Sequence, residues 1–174
     1  DTSGVATSLK DPAVKLEFSF PNLDGQRVSL SDPLFQGKVV IVALAGSWCP
    51  NCHDEAAFLA QLYRDLRSQG LEVLSLQFEH FGDFAQAAAA TRRFRDKFGI
   101  EYTTLIAGTS DRDEAAKALP QLTGVYAFPT TIWVDRTGTV RKIHAGFSGP
   151  ATGEHYTALT REFTEFTRQL LAEK

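Results

Sequence analysis

The chain has 174 residues, 43% of them hydrophobic and 22% charged, with 13 Phe and a formal net charge of −3. That is enough apolar material for one self-sufficient core, and the longest unbroken apolar run, Val39 to Ala45, is far short of the roughly 20 residues that cross a bilayer. The charge shows no basic stripe, which excludes an electrostatic footprint for nucleic acid or anionic lipid.

The sequence holds no Met. The chain is therefore read as having lost an original N-terminus, by secretion or by trimming, with residues 1–13 as a flexible tether ahead of a single domain over 14–174. Leu16 to Phe20 and Arg27 to Leu30 alternate around an Asp24-Gly25 turn signal and predict an N-terminal hairpin. Val39 to Leu44 is a β-branched run without alternation, as expected of a central strand covered on both faces.

Phe58, Leu59, Leu62 and Leu66 recur at helical spacing before Gly70, predicting a helix of about 18 residues. Leu71 to Phe78 reads as a second buried strand. Asp83 caps a helix that runs through alanines 87 to 90 to Phe98 and stops at Gly99. Tyr102 to Ala107 is expected to be a short strand, and Asp111 to Leu119 a helix capped by Asp111. Thr130 to Val134 and Thr139 to Ala145 flank Asp135-Arg136-Thr137-Gly138 and predict an antiparallel hairpin. Tyr156, Leu159, Phe163, Phe166 and Leu170 mark a last amphipathic helix. The order implies an α/β fold with a mixed, mostly parallel sheet and helices on both faces.

The two cysteines, Cys49 and Cys52, lie three positions apart, too close for a useful structural staple and well placed for reversible chemistry. The turn from a buried strand into a helix puts Cys49 at a helix N-terminus, where unpaired N–H groups and the helix dipole favour a thiolate. Cys49 is the expected nucleophile. Cys52, one turn inside on the same face, is expected to resolve a mixed disulfide. Pro50 suits the first helical turn and Asn51 should face solvent.

With these residues in view, Trp48-Cys49-Pro50-Asn51-Cys52 after a hydrophobic strand resembles the active site of thioredoxin-like proteins. The lead-in Phe18 to Leu30, Gly37-Lys38-Val39-Val40, Phe128-Pro129-Thr130-Thr131 and Val134 to Gly138 are similar to the TlpA-like, ResA-like group of extracytoplasmic thiol-disulfide oxidoreductases. From about Leu16 onward the resemblance implies a thioredoxin fold with an N-terminal β-hairpin and a central strand-helix insertion, assigned to Phe81 to Ala107. It implies protein disulfide or dithiol partners, an upstream redox donor, no cofactor, no metal, and an envelope or periplasmic location. The catalytic set is then Cys49, Cys52 and Glu79, and the substrate-binding set Trp48, Pro50, Phe128, Pro129 and Thr130. By resemblance Pro129 is cis and faces the redox pair, leaving the Phe128 backbone free to pair with an extended partner segment. The resemblance favours a reductant, whereas the residues themselves leave the direction open.

Two departures stand out. Plain thioredoxins carry a buried acid six residues before the first cysteine, and here that position is Ala43. Glu79 resembles the acid that TlpA-like proteins place near the sulfurs, where it would serve Cys52; the blander reading is a solvated charge at a strand end. Pro129 follows Cys52 by 77 positions, more than a plain thioredoxin uses.

Three rivals share parts of the pattern. Cys49-Pro50-Asn51-Cys52-His53 matches covalent haem attachment with His53 as axial ligand, although no Met is available opposite it. Two thiolates could hold Cu(I) in a non-enzymatic module. A thiol peroxidase shares the broader fold, but peroxiredoxins place Thr three residues before the peroxidatic Cys, where this chain has Gly46.

Overall fold

A run of branched aliphatic residues without alternation needs cover on both faces, and the computed structural model, which describes residues 6–174, buries all seven residues of Val39–Ala45. In chain order the elements are β1 (Ser19–Pro21), β2 (Arg27–Ser29), β3 (Val39–Ala45), α1 (Pro50–Leu66), β4 (Leu71–Glu79), α2 (Phe84–Phe98), β5 (Thr103–Thr109), α3 (Arg112–Ala118), β6 (Thr130–Val134), β7 (Val140–Ala145) and α4 (Glu154–Ala172). The main sheet is ordered β5-β4-β3-β6-β7. β3, β4 and β5 run parallel, β6 pairs antiparallel with β3, and β7 with β6. β1 and β2 form a separate antiparallel pair.

Side chains of β3 divide by parity. Val39, Ile41 and Ala43 join Leu59, Tyr63 and Leu66 of α1 and Phe163 and Leu170 of α4 in one core. Val40, Val42 and Leu44 join Leu16, Phe18, Phe35, Leu105, Leu119 and Leu122 in the other. β4 follows the same alternation with one difference: Leu71 and Val73 continue the first core, but the next positions on that face are Ser75, Gln77 and Glu79. The buried face of β4 thus turns polar toward its C-terminal end, the end that carries the CxxC turn.

Local signals account for the boundaries. Asp83 and Asp111 cap α2 and α3 by accepting from Gln86 N and Glu114 N, and α2 ends at Gly99 with φ +64°, a conformation that favours glycine. α1 stops at Leu66 and is followed by a 3₁₀ turn over Arg67–Gln69 before Gly70. The stretch assigned to the insertion holds α2 and then β5, which extends two residues past Ala107 and takes the edge of the sheet.

Part of the segment expected to be a flexible tether is held to the domain. Residues 1–5 lie outside the described residues. From Thr7 to Lys10 the chain is docked: Thr7 Oγ1 donates to Gly124 O, Lys10 N to Gln121 O, and Leu9 bridges to Leu122. Leu9 packs on the second core, which gives this stretch a reason to stay down. At the pole away from the CxxC turn, the Arg136 guanidinium donates to Gly37 O, Gln69 O and Leu171 O, each at 3.0 Å.

Candidate active site

Gly46 to Cys49 is a turn closed by Cys49 N donating to Gly46 O at 3.2 Å. It connects the end of β3 to α1 and makes Cys49 the N-cap residue, with Pro50 in the first turn. The Cys49 sulfur accepts from Cys52 N at 3.3 Å, the contact that an N-cap side chain makes with an otherwise unpaired amide. Both cysteines are free, and both are buried against Ala45 beneath Trp48 and Phe128. Cys49 retains 6% exposure and Cys52 1%, so of the two residues Cys49 is the less deeply buried.

The two thiols are driven apart electrostatically. The hydrogen bond from the Cys52 side chain, joined by those from the Cys52 and Asn51 backbone, lowers the Cys49 thiol from 9.0 to about 7 against the opposing effect of burial. Burial, followed by the hydrogen bond to Cys49 and its charge, pushes the Cys52 thiol far upward. Near neutral pH Cys49 is therefore partly ionised above a Cys52 that stays a thiol, a nucleophile and its reserve.

The side chains expected to flank this pair do gather there. Trp48 Nε1 donates to Phe78 O at 2.8 Å, its ring meets Phe128 edge-on at 5.6 Å, and His80 stacks on it at 4.6 Å. The Cys49 thiol lies 3.4 Å from Phe128 O, the Phe128–Pro129 peptide is cis, and Thr130 Oγ1 donates to Ala127 O, closing the bend ahead of Pro129. Pro50 and Asn51 are exposed. His53 Nε2 lies 2.6 Å from Ser47 O; a carbonyl only accepts, so this nitrogen carries the proton.

Glu79 is not a solvated strand end. It is 1% exposed, and it accepts from Ser47 N, Ser47 Oγ, Gln77 Nε2 and Thr91 Oγ1.

Sequence reasoning missed Glu55. It lies one turn beyond Cys52 on the buried face of α1, 2% exposed, with Thr131 Oγ1 donating to its Oε2 at 2.7 Å. Burial raises its carboxyl from 4.5 to about 7, opposed by the Thr131 hydrogen bond and aided by the Cys49 charge. The signal was present: Cys52, Glu55, Ala56 and Leu59 share the 3- and 4-residue spacing of the apolar stripe, and an acid on such a stripe is a functional candidate. Among the described residues no group of three or more His, Cys, Asp and Glu side chains is arranged to hold a metal ion.

Comparison with known proteins bears on this arrangement. The Redoxin family profile matches residues 9–159. The chain belongs to the Redoxin family. Its similarity to family members with curated names includes "Thiol-disulfide oxidoreductase ResA" of Geobacillus thermodenitrificans, 28% identical over 130 residues, covering 75% of this chain and 66% of that protein. The protein of the same name from Bacillus subtilis is 26% identical over 139 residues, covering 80% of this chain and 69% of its own length. The chain thus spans about two thirds of the length of these relatives. Among solved structures, a thiol:disulfide interchange protein of the thioredoxin family from Chlorobium tepidum superposes with a TM-score of 0.68 at 19% identity, covering 95% of this chain and 100% of that one. That likeness establishes the thioredoxin fold for this Redoxin family chain.

Proposed function

We propose that this chain is a thiol-disulfide oxidoreductase that reduces disulfides of protein partners in the cell envelope. The reading rests on one observation: a thiolate-favouring Cys49 at the cap of α1, with a buried Cys52 thiol hydrogen-bonded to it. The envelope location and the reductant direction follow the resemblance to ResA-like proteins. Among the described residues no helix is long and apolar enough to cross a membrane.

The chemistry balances in two exchanges. The Cys49 thiolate attacks one sulfur of the partner disulfide; an S–S bond forms to Cys49, the partner's bond breaks, and the departing thiolate takes a proton from water. Cys52 then loses its proton to the Glu55 carboxylate and attacks the Cys49 sulfur; a Cys49–Cys52 bond forms and the mixed disulfide breaks. The partner's second sulfur leaves as a thiolate that takes a proton from water, completing the dithiol, while Glu55 returns its proton to solvent. Glu55, poised near neutrality and one helical turn from Cys52, is the acceptor the site offers for that proton. The resulting Cys49–Cys52 disulfide is returned to the dithiol by an upstream dithiol donor. Trp48, Phe128 and Pro129 border the side from which the partner approaches, and Thr130 and Pro50 hold the two loops that carry them.

The test is a pair of variants in a protein-disulfide reduction assay. Cys49→Ser abolishes turnover, and Cys52→Ser accumulates a mixed disulfide that is visible on non-reducing gels. In the wild-type chain, alkylation of Cys49 rises with a midpoint near pH 7. Fast peroxide-dependent oxidation of Cys49 without reduction of protein disulfides would overturn the proposal in favour of a thiol peroxidase.

A further inference from the structure

Four donors from three elements converge on the Glu79 carboxylate. Ser47 N and Ser47 Oγ reach it from the turn before Cys49 at 3.0 and 2.5 Å, Gln77 Nε2 from β4 at 3.0 Å, and Thr91 Oγ1 from α2 at 3.2 Å. Ser75 Oγ donates in turn to Gln77 Oε1, so the polar face of β4 is one hydrogen-bonded chain ending at Glu79. Every side chain of that chain, and Thr91, is buried. Three of these bonds fall on Oε1 and one on Oε2, so most of the carboxylate's roughly four acceptor sites are committed to neighbouring elements of the fold.

What Glu79 grips is the second residue of the Gly46–Cys49 turn. Ser47 is held on both sides of its backbone: Glu79 takes its N–H, and His53 Nε2 donates to its C=O. The next residue, Trp48, is fixed to the adjacent Phe78 carbonyl. These bonds tie the turn to β4, to α1 and to the inserted helix α2. A buried carboxylate is costly unless it is hydrogen-bonded in this way, so its retention beneath a surface turn calls for a role that a neutral side chain would not fill.

We propose that Glu79 is a positioning residue for Cys49, holding Ser47 so that the sulfur stays over the first amides of α1. The proposal rests on the exchange reading above. It separates two carboxylates that sequence alone does not distinguish: Glu55 exchanges a proton with the sulfurs, and Glu79 sets the geometry in which Cys49 attacks. It also gives the insertion a mechanical connection to the redox turn through Thr91.

The sign of one shift tests it. The titratable groups facing Cys49 are Cys52 and Glu55 from α1, with His80 stacked on Trp48 and His53 hydrogen-bonded to the Ser47 carbonyl. If Glu79 were only a nearby negative charge, Glu79→Gln would ease ionisation of Cys49 and move its alkylation midpoint down. If Glu79 positions the turn, Glu79→Gln puts an amide among four donors, the sulfur loses its amide contacts, and the midpoint moves up. An upward shift of about one pH unit, read as roughly tenfold slower alkylation at pH 6, is the expected result. Thr91→Val keeps the charge and removes one donor; a smaller shift in the same direction is expected, with Thr91→Ser restoring the wild-type midpoint. Glu79→Gln falling below the wild-type midpoint, or both Glu79→Gln and Thr91→Val matching it, would overturn the proposal. Should Glu79→Gln not fold, Thr91→Val decides alone. Alkylation needs no partner, so a wild-type chain that reduces no protein disulfide would sink the exchange reading while this measurement still reports on Glu79.

Discussion

Ala43 faces Thr131 across the β3–β6 register, and Thr131 in turn donates its hydroxyl to Glu55. The strand position at which a plain thioredoxin carries its buried acid is therefore a methyl group here, and the acid comes instead from α1. Glu55→Gln keeps the shape and the Thr131 contact while removing the proton acceptor. The resolving step, followed as decay of a preformed Cys49 mixed disulfide, is expected to slow by about a hundredfold. The initial attack by Cys49 should change little. Unchanged decay would mean that water alone deprotonates Cys52.

How far the sequence carried this picture differs from element to element. β3 was legible because seven apolar residues between Lys38 and Gly46 allow only a doubly covered strand, and α2 because Asp83 and Gly99 bracket it. The CxxC turn was legible because strand, turn and helix signals meet there. Glu55 was overlooked although its spacing places it on the buried stripe of α1 with Cys52, Ala56 and Leu59; its partner Thr131 lies 76 positions away, and no local pattern announces that contact. Glu79 was seen as an acid beside the site, but its partners Ser47 and Thr91 lie 32 and 12 positions away, and no local pattern announces such contacts. The docking of Thr7 to Lys10 was hidden for the same reason, being made with residues 121–124.

Glu55 also makes a prediction about stability. Its carboxyl is raised in the folded chain to about 7 from an ordinary 4.5, so between these values the folded state holds a proton that the unfolded state has released. The contribution of Glu55 to stability is therefore fully present below about pH 4.5 and is lost as pH rises through 7, by an amount on the order of 3 kcal/mol. Cys49 has the opposite sign: its lowered thiol adds stability as pH rises from about 7 toward 9. Urea unfolding of wild type and Glu55→Gln at pH 5 and pH 8 should show the variant gaining relative to wild type at the higher pH. Equal differences at both values would show that the burial of Glu55 leaves its titration unaltered.

Gly46 is a steric requirement of the turn. A Cβ there would run into the Trp48 indole and come within 2.9 Å of Phe78 O, the carbonyl to which that indole is bonded. Gly46→Ala should cost about 1–3 kcal/mol and turn Trp48 out of place. The other tryptophan, Trp133, is fully buried and bonded to Thr167, so a change in fluorescence on substitution reports Trp48. The same variant should expose Cys52 to alkylation. A wild-type emission spectrum in the variant would contradict this account of the turn.

The grip of Arg136 on three carbonyls bears on how the molecule yields under load. Its guanidinium laces together residues 99, 67 and 35 positions away along the chain: the approach to β3, the exit from α1 and the last turn of α4. No thiol or carboxylate takes part, so neither electron transfer at the cysteines nor proton traffic around them loosens that end. Whatever give accompanies docking and release is left to the opposite rim, where two short loops meet over a pair of sulfurs.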